Sequence, residues 1–327
     1  MAVKTVLESV HDTLWKAMEE DNRVVIMGED VGAKGGVFRV TAGYLEQFVE
    51  NRVIDTPLAE LAIIGVGIGM AANGMLPVCE IQFADFIHPA FDQIVSEAAR
   101  IRYRSNNAWG CPMVIRAPYG GGIHGALYHS QSVEAFFAHV PGLKVVIPST
   151  PYDTAGLLYS AIHDPDPVMF FEHKRTYRLI KGEVPDNLYK IPIGKADRKR
   201  EGRDLTIFTY GLMLHYAIEA AERVAKDGIS VEIIDPRTLV PLDIDMILES
   251  VKKTSKLLII HEDNEFCGFG AEVAAIVADK GFAWLDAPIK RLCGPNVPAM
   301  PYNHVQQEWF LPGVEDIEAA IRELAEF

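Results

Sequence analysis

The chain has 327 residues, of which 49% are hydrophobic and 23% are charged. This composition predicts a folded globular protein, and the length exceeds what one hydrophobic core usually serves, so we expect two domains. The formal net charge of -14 argues against nucleic acid or an anionic membrane as a partner, because both attract basic surfaces. The four cysteines form no C-x-x-C pair, which indicates neither a zinc site nor a disulfide framework.

The N-terminal region predicts an amphipathic structural helix, because Val6, Val10 and Leu14 recur on one face. Acidic residues stand where a signal peptide would have an apolar block, so we expect a cytoplasmic protein. The apolar stretch 61–78 is interrupted by glycines and ends in a proline, which favours a buried helix over a membrane span.

Helical and strand-like segments alternate along the first half of the chain. The predicted helices cover 5–20, 59–73, 89–103, 131–138 and 152–163, and the predicted strands cover 24–28, 77–81, 112–117, 144–148 and 168–172. Such alternation is typical of a parallel sheet with helices on both faces.

The periodicity is lost between 174 and 204, where the sequence becomes basic and polar. Alternation then resumes, with strands at 205–211, 231–235, 256–263 and 288–294 and helices at 213–227, 244–254, 270–279 and from about 314. We therefore predict an α/β protein with two doubly wound domains, 1–185 and 205–327, joined by a linker over 186–204.

The motif GVGIGM at 65–70 has two interpretations. Glycines spaced in this way approach a dinucleotide pyrophosphate in nicotinamide- and flavin-binding proteins. Here they lie inside an apolar helical pattern, and the spacing of Gly65 and Gly69 more simply permits close helix packing.

The preceding motif, DTPLAE at 55–60, is equally open. Asp55 or Thr56 could cap the following helix, with Pro57 in its first turn and Glu60 completing a capping box. Alternatively, Glu60 is a buried carboxylate beside a glycine-rich helix, and such a group needs a partner.

Three consecutive glycines and two histidines occur in APYGGGIHGALYHSQS, residues 117–132. The spacing of His124 and His129 does not place both rings on one helical face, which disfavours zinc, and no P-loop lysine follows. The pattern favours a flexible loop that brings His129 to the start of a helix near Ser130. The positive end of that helix would keep the imidazole near neutral, as an acid or base.

Longer motifs of this chain resemble the beta subunit of the thiamine-diphosphate-dependent decarboxylating component of 2-oxo acid dehydrogenase complexes, a transketolase-like family. The resemblance rests on VVIMGEDVGAKGGVFRVTAGY, RVIDTPLAELAIIGVGIGMA, EIQFADFIHPAFDQIVSEAARIRYRS, YGGGIHGALYHSQSVEAFFAHVPGLKVVIPSTPYD and VEIIDPRTLVPLD. IQFADF, HGALYHSQS, EAFFAH and FFEHKRTYRLIKGEVP favour its branched-chain members. The resemblance implies a pyrimidine-binding domain followed by a transketolase C-terminal-like domain.

The resemblance also implies roles for individual residues. Glu60 matches the glutamate that bonds the aminopyrimidine ring of thiamine diphosphate and so promotes loss of the thiazolium C2 proton. Leu58, Gln82 and Phe86 match positions that line the pyrimidine, and Phe86 is often a tyrosine in close relatives. His129 matches the histidine used in acyl transfer to a lipoyl group.

No G-D-G motif, with which the family binds magnesium and diphosphate, occurs in the chain, and GED at 28–30 has a longer glutamate at its centre. The resemblance therefore implies an alpha subunit that holds Mg²⁺ and the diphosphate, in a heterotetramer of two alpha and two beta chains. It also implies binding to the lipoyl acyltransferase component through the C-terminal domain. A potassium site near Asp164, in DPDP at 164–167, is implied as well.

The expected activity is oxidative decarboxylation of branched-chain 2-oxo acids with reductive acylation of lipoyl groups. A pyruvate or acetoin dehydrogenase beta subunit is the alternative within the same family. A catalytically silent assembly subunit and a dinucleotide-binding protein are alternatives of other classes.

Overall fold

The computed structural model describes residues 1–327, which form two compact units. The first unit comprises Met1–Tyr119 and Phe136–Ile193, and the second comprises Gly120–Ala135 and Gly194–Phe327. This division differs from the predicted ranges 1–185 and 205–327, because the segment 120–135 belongs to the second unit although it lies within the first half of the chain. No helix is long and apolar enough to cross a lipid bilayer.

The first unit is built on a parallel sheet. Its strands are β1 (Ala2–Thr5), β2 (Val24–Gly28), β3 (Val53–Asp55), β4 (Leu76–Glu80), β5 (Val114–Tyr119), β6 (Lys144–Val146), β7 (Val168–His173) and β8 (Lys181–Val184). Within this unit the strands of the main sheet have the order β6-β7-β5-β4-β2-β3, and β1 pairs antiparallel with β8 outside this sheet. Strands β2, β4, β5 and β7 are buried along their whole length, as expected for a parallel sheet covered on both faces.

Helices connect these strands: α1 (Val6–Glu20), α2 (Tyr44–Phe48), α3 (Glu60–Ala72), α4 (Ile101–Arg104), α5 (Glu134–Ala138), α6 (Pro151–Ile162) and α7 (Thr176–Leu179). Helix α1 confirms the prediction for 5–20, and it begins at a capping box in which Thr5 and Glu8 satisfy each other's backbone N–H groups. Val10 and Leu14 on its inner face are fully buried.

The predicted helix 89–103 is wrong as a single element. The segment consists of a 3₁₀ turn at His88–Ala90, a π-helical turn at Gln93–Glu97, a second 3₁₀ turn at Ala98–Arg100 and then α4. The N–H of Ala98 donates to the carbonyls of both Gln93 and Ile94, so the helix carries an extra residue at this turn. The spacing of hydrophobic residues, read with a helical period of 3.6 residues, does not indicate such an extra residue.

The glycines of GVGIGM lie inside α3 and not in a turn between a strand and a helix. A Cβ atom on Gly67 would lie 2.6 Å from Sγ of Cys79 on β4, so the absent side chain lets helix and strand approach closely. The dinucleotide interpretation is therefore wrong, because these glycines serve packing.

The second unit contains a five-stranded sheet with the order β14-β13-β10-β11-β9. The strands of the second unit are β9 (Asp197–Arg200), β10 (Leu205–Thr209), β11 (Val231–Asp235), β12 (Thr238–Val240), β13 (Leu257–Asn264) and β14 (Lys290–Gly294), of which β12 is not part of the five-stranded sheet. The helices of this unit are α8 (Leu212–Ala225), α9 (Ile244–Thr254), α10 (Phe269–Lys280), α11 (His304–Phe310) and α12 (Val314–Ala325). Strand β9 is antiparallel to β11 at the sheet edge and lies within the predicted linker 186–204. Its charged sequence, DRKR, suits an edge strand but hides it from a hydrophobicity pattern.

A buried ion cluster joins the central strands of the first unit. The guanidinium of Arg116 on β5 donates to Glu80 on β4 at 2.5 Å and to Glu172 on β7 at 2.6 Å. The hydroxyl of Tyr177 also donates to Glu172. Burial alone would lower the pKa of Arg116, but Glu172 and Glu80 hold it well above its usual range. Arg116 therefore retains its positive charge inside the sheet.

Replacement of Arg116 by Met should lower the free energy of unfolding by about 3–5 kcal/mol, because two carboxylates would remain buried without a cation. Urea unfolding followed by circular dichroism measures this loss. Arg104→Met is the matched control, since Arg104 pairs with Glu97 on the surface. Equal destabilisation by the two variants would contradict the assignment.

Candidate functional site

Glu60 is the first residue of α3 and only 8% of its surface is exposed. The carboxylate lies at the positive end of the helix dipole, which favours negative charge. Leu58, two residues earlier, is 81% exposed, so the turn that leads into the helix presents an apolar side chain to its surroundings. The buried carboxylate of Glu60 is therefore preceded, two residues earlier, by the exposed apolar side chain of Leu58.

The capping interpretation of DTPLAE is wrong. The N-cap residue of α3 is Ala59, which has no side chain that could cap. The carboxylate of Asp55 instead accepts hydrogen bonds from the backbone N–H groups of Gly32 at 2.6 Å and Ala33 at 3.2 Å. Asp55 therefore fixes the loop that follows β2, and it leaves Glu60 without a capping role.

Glu29 lies beside Glu60, and from the sequence it was considered only as the centre of GED, which does not match G-D-G. It follows β2 directly, and its carboxylate accepts the backbone N–H of Ala59 at the start of α3. Burial raises the pKa of Glu29, and the negative charge of Glu60 raises it further. Its Oε1 atom is buried without a hydrogen-bond partner in the protein. Its position at the carboxyl end of a buried parallel strand is the signal that could have identified it.

Gln82 lies at the same edge of the sheet, two residues after β4. Its amide donates to Oδ2 of Asp30 at 3.3 Å and to the carbonyl of Glu29 at 3.5 Å. Glu60 and Gln82 therefore have Glu29 as a common neighbour. The predicted cofactor residues Glu60 and Gln82 are thereby brought together within the first unit.

Phe86 closes a 3₁₀ turn at Ala84–Phe86 that follows Gln82. Its half-buried ring meets the ring of Phe83 edge to face, with the centroids 5.7 Å apart. Phe83 in turn meets Phe38 in the same manner at 5.4 Å. The turn thus presents a small aromatic cluster immediately after Gln82.

His129 lies in the second unit, and the helix predicted to start near Ser130 begins only at Glu134. His129 ends a 3₁₀ turn at Ala126–Tyr128, so the proposed effect of a helix end on its imidazole is wrong. Its Nδ1 atom lies 3.2 Å from the carbonyl of Gly125. Nδ1 can donate a hydrogen bond to this carbonyl, and in a neutral ring this arrangement corresponds to the tautomer with the lone pair on Nε2.

The three glycines bend the chain into this loop. Gly120 and Gly122 have positive φ angles of 85° and 82°, which only glycine adopts without strain. A side chain on Gly121 would collide with Met300. The N–H of Gly120 donates to the carbonyl of Gln131, which closes the loop. His124, to which no role was assigned, packs against His304 with ring centroids 3.7 Å apart.

No group of three or more His, Cys, Asp or Glu side chains is placed to bind a metal ion. Asp164, near which the resemblance implies potassium, accepts hydrogen bonds from Lys144 at 2.5 and 2.6 Å. The next acid, Asp166, pairs with Arg102 at 2.5 Å. The predicted potassium site stays a prediction.

Two family models match the chain in order: the transketolase pyrimidine binding domain over residues 3–180 and the transketolase C-terminal domain over 194–317. A solved structure described as a split gene transketolase, inactive beta4 tetramer, shares 21% identity and superposes with a TM-score of 0.80, covering 99% of this chain and 98% of that one. These matches define a protein of the two-domain transketolase architecture and confirm the predicted α/β fold class.

Proteins of similar sequence assign the chain to a particular family within this class. The chain is 60% identical to the 2-oxoisovalerate dehydrogenase subunit beta of Bacillus subtilis (strain 168) and 46% identical to the pyruvate dehydrogenase E1 component subunit beta of the same organism, each over 100% of both chains. The chain belongs to the family of 2-oxo acid dehydrogenase beta subunits, which are components of thiamine-diphosphate-dependent oxidoreductases.

Proposed function

We propose that the chain is the beta subunit of a branched-chain 2-oxo acid dehydrogenase and provides the pyrimidine side of its thiamine diphosphate site. The observation that carries the proposal is the burial of Glu60 beside Glu29 at the carboxyl edge of the parallel sheet. Ligands of open α/β sheets bind at this edge. With an alpha subunit, the site would decarboxylate 2-oxo acids and transfer the acyl group to a lipoyl group.

The residues at this edge fit an aminopyrimidine ring. Glu60 offers a carboxylate that accepts a hydrogen bond from a protonated ring nitrogen, and the exposed Leu58 together with Phe86 offers apolar contact to the ring faces. The unpartnered Oε1 of Glu29 is a further acceptor for a ligand N–H. When bound, thiamine diphosphate supplies the nucleophilic carbon and the electron sink for decarboxylation.

Glu60 would then hold a proton at one of its carboxylate oxygens or release it to the ring as the reaction requires. Burial and then the negative charge of Glu60 raise the pKa of the neighbouring Glu29, so the two carboxyl groups interact electrostatically at this site. Low exposure excludes water from this hydrogen bond and strengthens it. Gln82, through its hydrogen bonds to Asp30 and to the carbonyl of Glu29, would hold the backbone of Glu29 in position at the site.

A partner chain must supply the Mg²⁺ and diphosphate side, since no G-D-G motif occurs here. Helix α3, which starts at Glu60, has exposed apolar residues in Leu61 and Val66, and Gly69 on this helix has open space around it. Small residues on such a face let a second helix approach closely. We assign this face to contact within the proposed heterotetramer of two alpha and two beta chains. The lipoyl acyltransferase component is the proposed acceptor of the acyl group.

Branched-chain specificity rests on the greater identity to the 2-oxoisovalerate enzyme, 60% against 46% for the pyruvate enzyme. Pyruvate or acetoin is the alternative substrate. Bound Mg²⁺ on the alpha subunit, potassium near Asp164 and a cytoplasmic location are parts of the same proposal.

Replacement of Glu60 by Gln should lower the rate of 2-oxo acid decarboxylation by about 10²–10⁴-fold, because a neutral amide does not exchange a proton with the ring. The rate is measured with an artificial electron acceptor on the complex assembled with an alpha subunit. Glu50→Gln, at an exposed position, is the control and should retain activity. A fully active Glu60→Gln complex would show that the chain has an assembly role only.

His129 is proposed to act in acyl transfer and not in decarboxylation. His129→Ala should therefore reduce reductive acylation of a lipoyl domain by about 10²-fold or more while decarboxylation with an artificial acceptor persists. The exposed His139→Ala serves as the control. Equal loss of both half-reactions in His129→Ala would contradict a role confined to transfer.

A further inference from the structure

The loop that carries His129 has a second attachment inside the second unit. Glu134, the first residue of α5, lies five positions after His129 and is completely buried. The hydroxyl of Tyr210, which follows β10, donates to its Oε1 at 2.9 Å. At the other end of the loop, the N–H of Gly121 donates to Oε2 of Glu262 at 2.9 Å. Two carboxylates thus bracket the segment 120–135.

We propose that Glu134, through its hydrogen bond with Tyr210, is a positioning residue that sets the place of His129 for acyl transfer. The proposal rests on the role proposed above for His129 and adds a residue that acts on it through the backbone. An acid or base that serves two reaction partners must be held within a fraction of an ångström, so an anchor near its loop affects the transfer rate.

The groups around Glu134 decide which charge state it holds. Asp263 and Glu262, at the end of β13, face it with negative charge, and the hydroxyl of Tyr210 is a side-chain donor to its carboxyl group. His261 on β13 lies parallel to the ring of Tyr210, with the centroids 6.2 Å apart. Burial lowers the pKa of His261 to about 4, so this imidazole supplies no positive charge near neutrality.

Burial, followed by the charge of Asp263, raises the pKa of Glu134 to about 8. Its Oε2 atom is buried without a hydrogen-bond partner in the protein, which is tolerable for a neutral acid and costly for a carboxylate. The pKa in the unfolded chain is about 4.3. Because the folded value is the higher one, the stabilisation is complete below about pH 4.3 and is lost as the pH rises through about 8.

Ionisation of Glu134 strengthens the hydrogen bond from Tyr210, which favours the charged form, but burial, the largest cause of the raised pKa, opposes the charge more strongly. The net effect of ionisation is therefore to destabilise the folded position of the loop that carries His129. We therefore expect the rate of reductive acylation to fall as the pH rises through about 8. Decarboxylation with an artificial acceptor, which does not use His129 in this account, should not follow that fall.

The test uses the complex with an alpha subunit and three variants of the anchor: Tyr210→Phe, Glu134→Ala and Glu134→Gln. Glutamine keeps a neutral acceptor for the tyrosine hydroxyl, whereas phenylalanine and alanine remove one side of the bond. Tyr302→Phe is the matched control, because Tyr302 is 71% exposed in the same unit. Both half-reactions are measured from pH 6 to about pH 9, together with amide hydrogen exchange of peptides from 120–135, corrected for intrinsic rates.

Tyr210→Phe and Glu134→Ala should lower kcat for reductive acylation several-fold, with decarboxylation unchanged. They should speed exchange in 120–135 by roughly three- to tenfold, as loss of one buried hydrogen bond implies. Glu134→Gln should retain acylation at neutral pH and remove its alkaline loss. A purely structural role would not produce this change in the pH profile.

Unchanged acylation and exchange in Tyr210→Phe would overturn the proposal, as would an alkaline loss that persists in Glu134→Gln. If the wild-type complex decarboxylates no 2-oxo acid, the proposed function fails. Hydrogen exchange would still show separately whether Glu134 and Tyr210 hold the loop.

Discussion

The placement of Arg116 between Glu80 and Glu172 is the constraint on which the first unit depends. A guanidinium buried within a parallel sheet is tolerated only when its donors are met by charged acceptors. Because Glu80 and Glu172 lie on the two strands that flank β5, the pairing specifies the register of three central strands. A shift by one residue would turn these charges to the opposite face of the sheet.

The same strands define the edge at which the candidate site lies. Strand β4 ends at Glu80 and is followed by Gln82, and the neighbouring β2 is followed by Glu29. The carboxylate of Glu29 accepts a hydrogen bond from the backbone N–H of Ala59, the N-cap residue of α3. This bond helps to fix the position at which α3 begins with Glu60. Two carboxylates buried side by side are unfavourable, because burial and their mutual repulsion both oppose ionisation. Such local conflicts are expected where a ligand provides the missing partner.

Much of this arrangement could be predicted from the sequence. Long apolar runs predicted β2, β7 and β10, and the recurrence of Val6, Val10 and Leu14 on one face predicted α1. The π-helical turn at Gln93–Glu97 and the charged edge strand β9 were missed, because neither follows a regular hydrophobic period. Motif resemblance selected Glu60, whereas Glu29 required the parallel pairing of β2 with β4 to be known. The start of the helix after His129 was predicted too early, because the residues before Glu134 have no regular secondary structure but include no glycine or proline that would have indicated this.

The central claim is that this chain provides one half of a shared thiamine diphosphate site. Calorimetric titration of thiamine diphosphate with Mg²⁺ into the chain alone, and into the chain assembled with a candidate alpha subunit, tests it most directly. Turnover of 3-methyl-2-oxobutanoate and of pyruvate is then measured on the same samples. The account predicts tight binding and turnover only for the pair, with 3-methyl-2-oxobutanoate preferred. Tight binding by the lone chain would contradict the claim of a divided site.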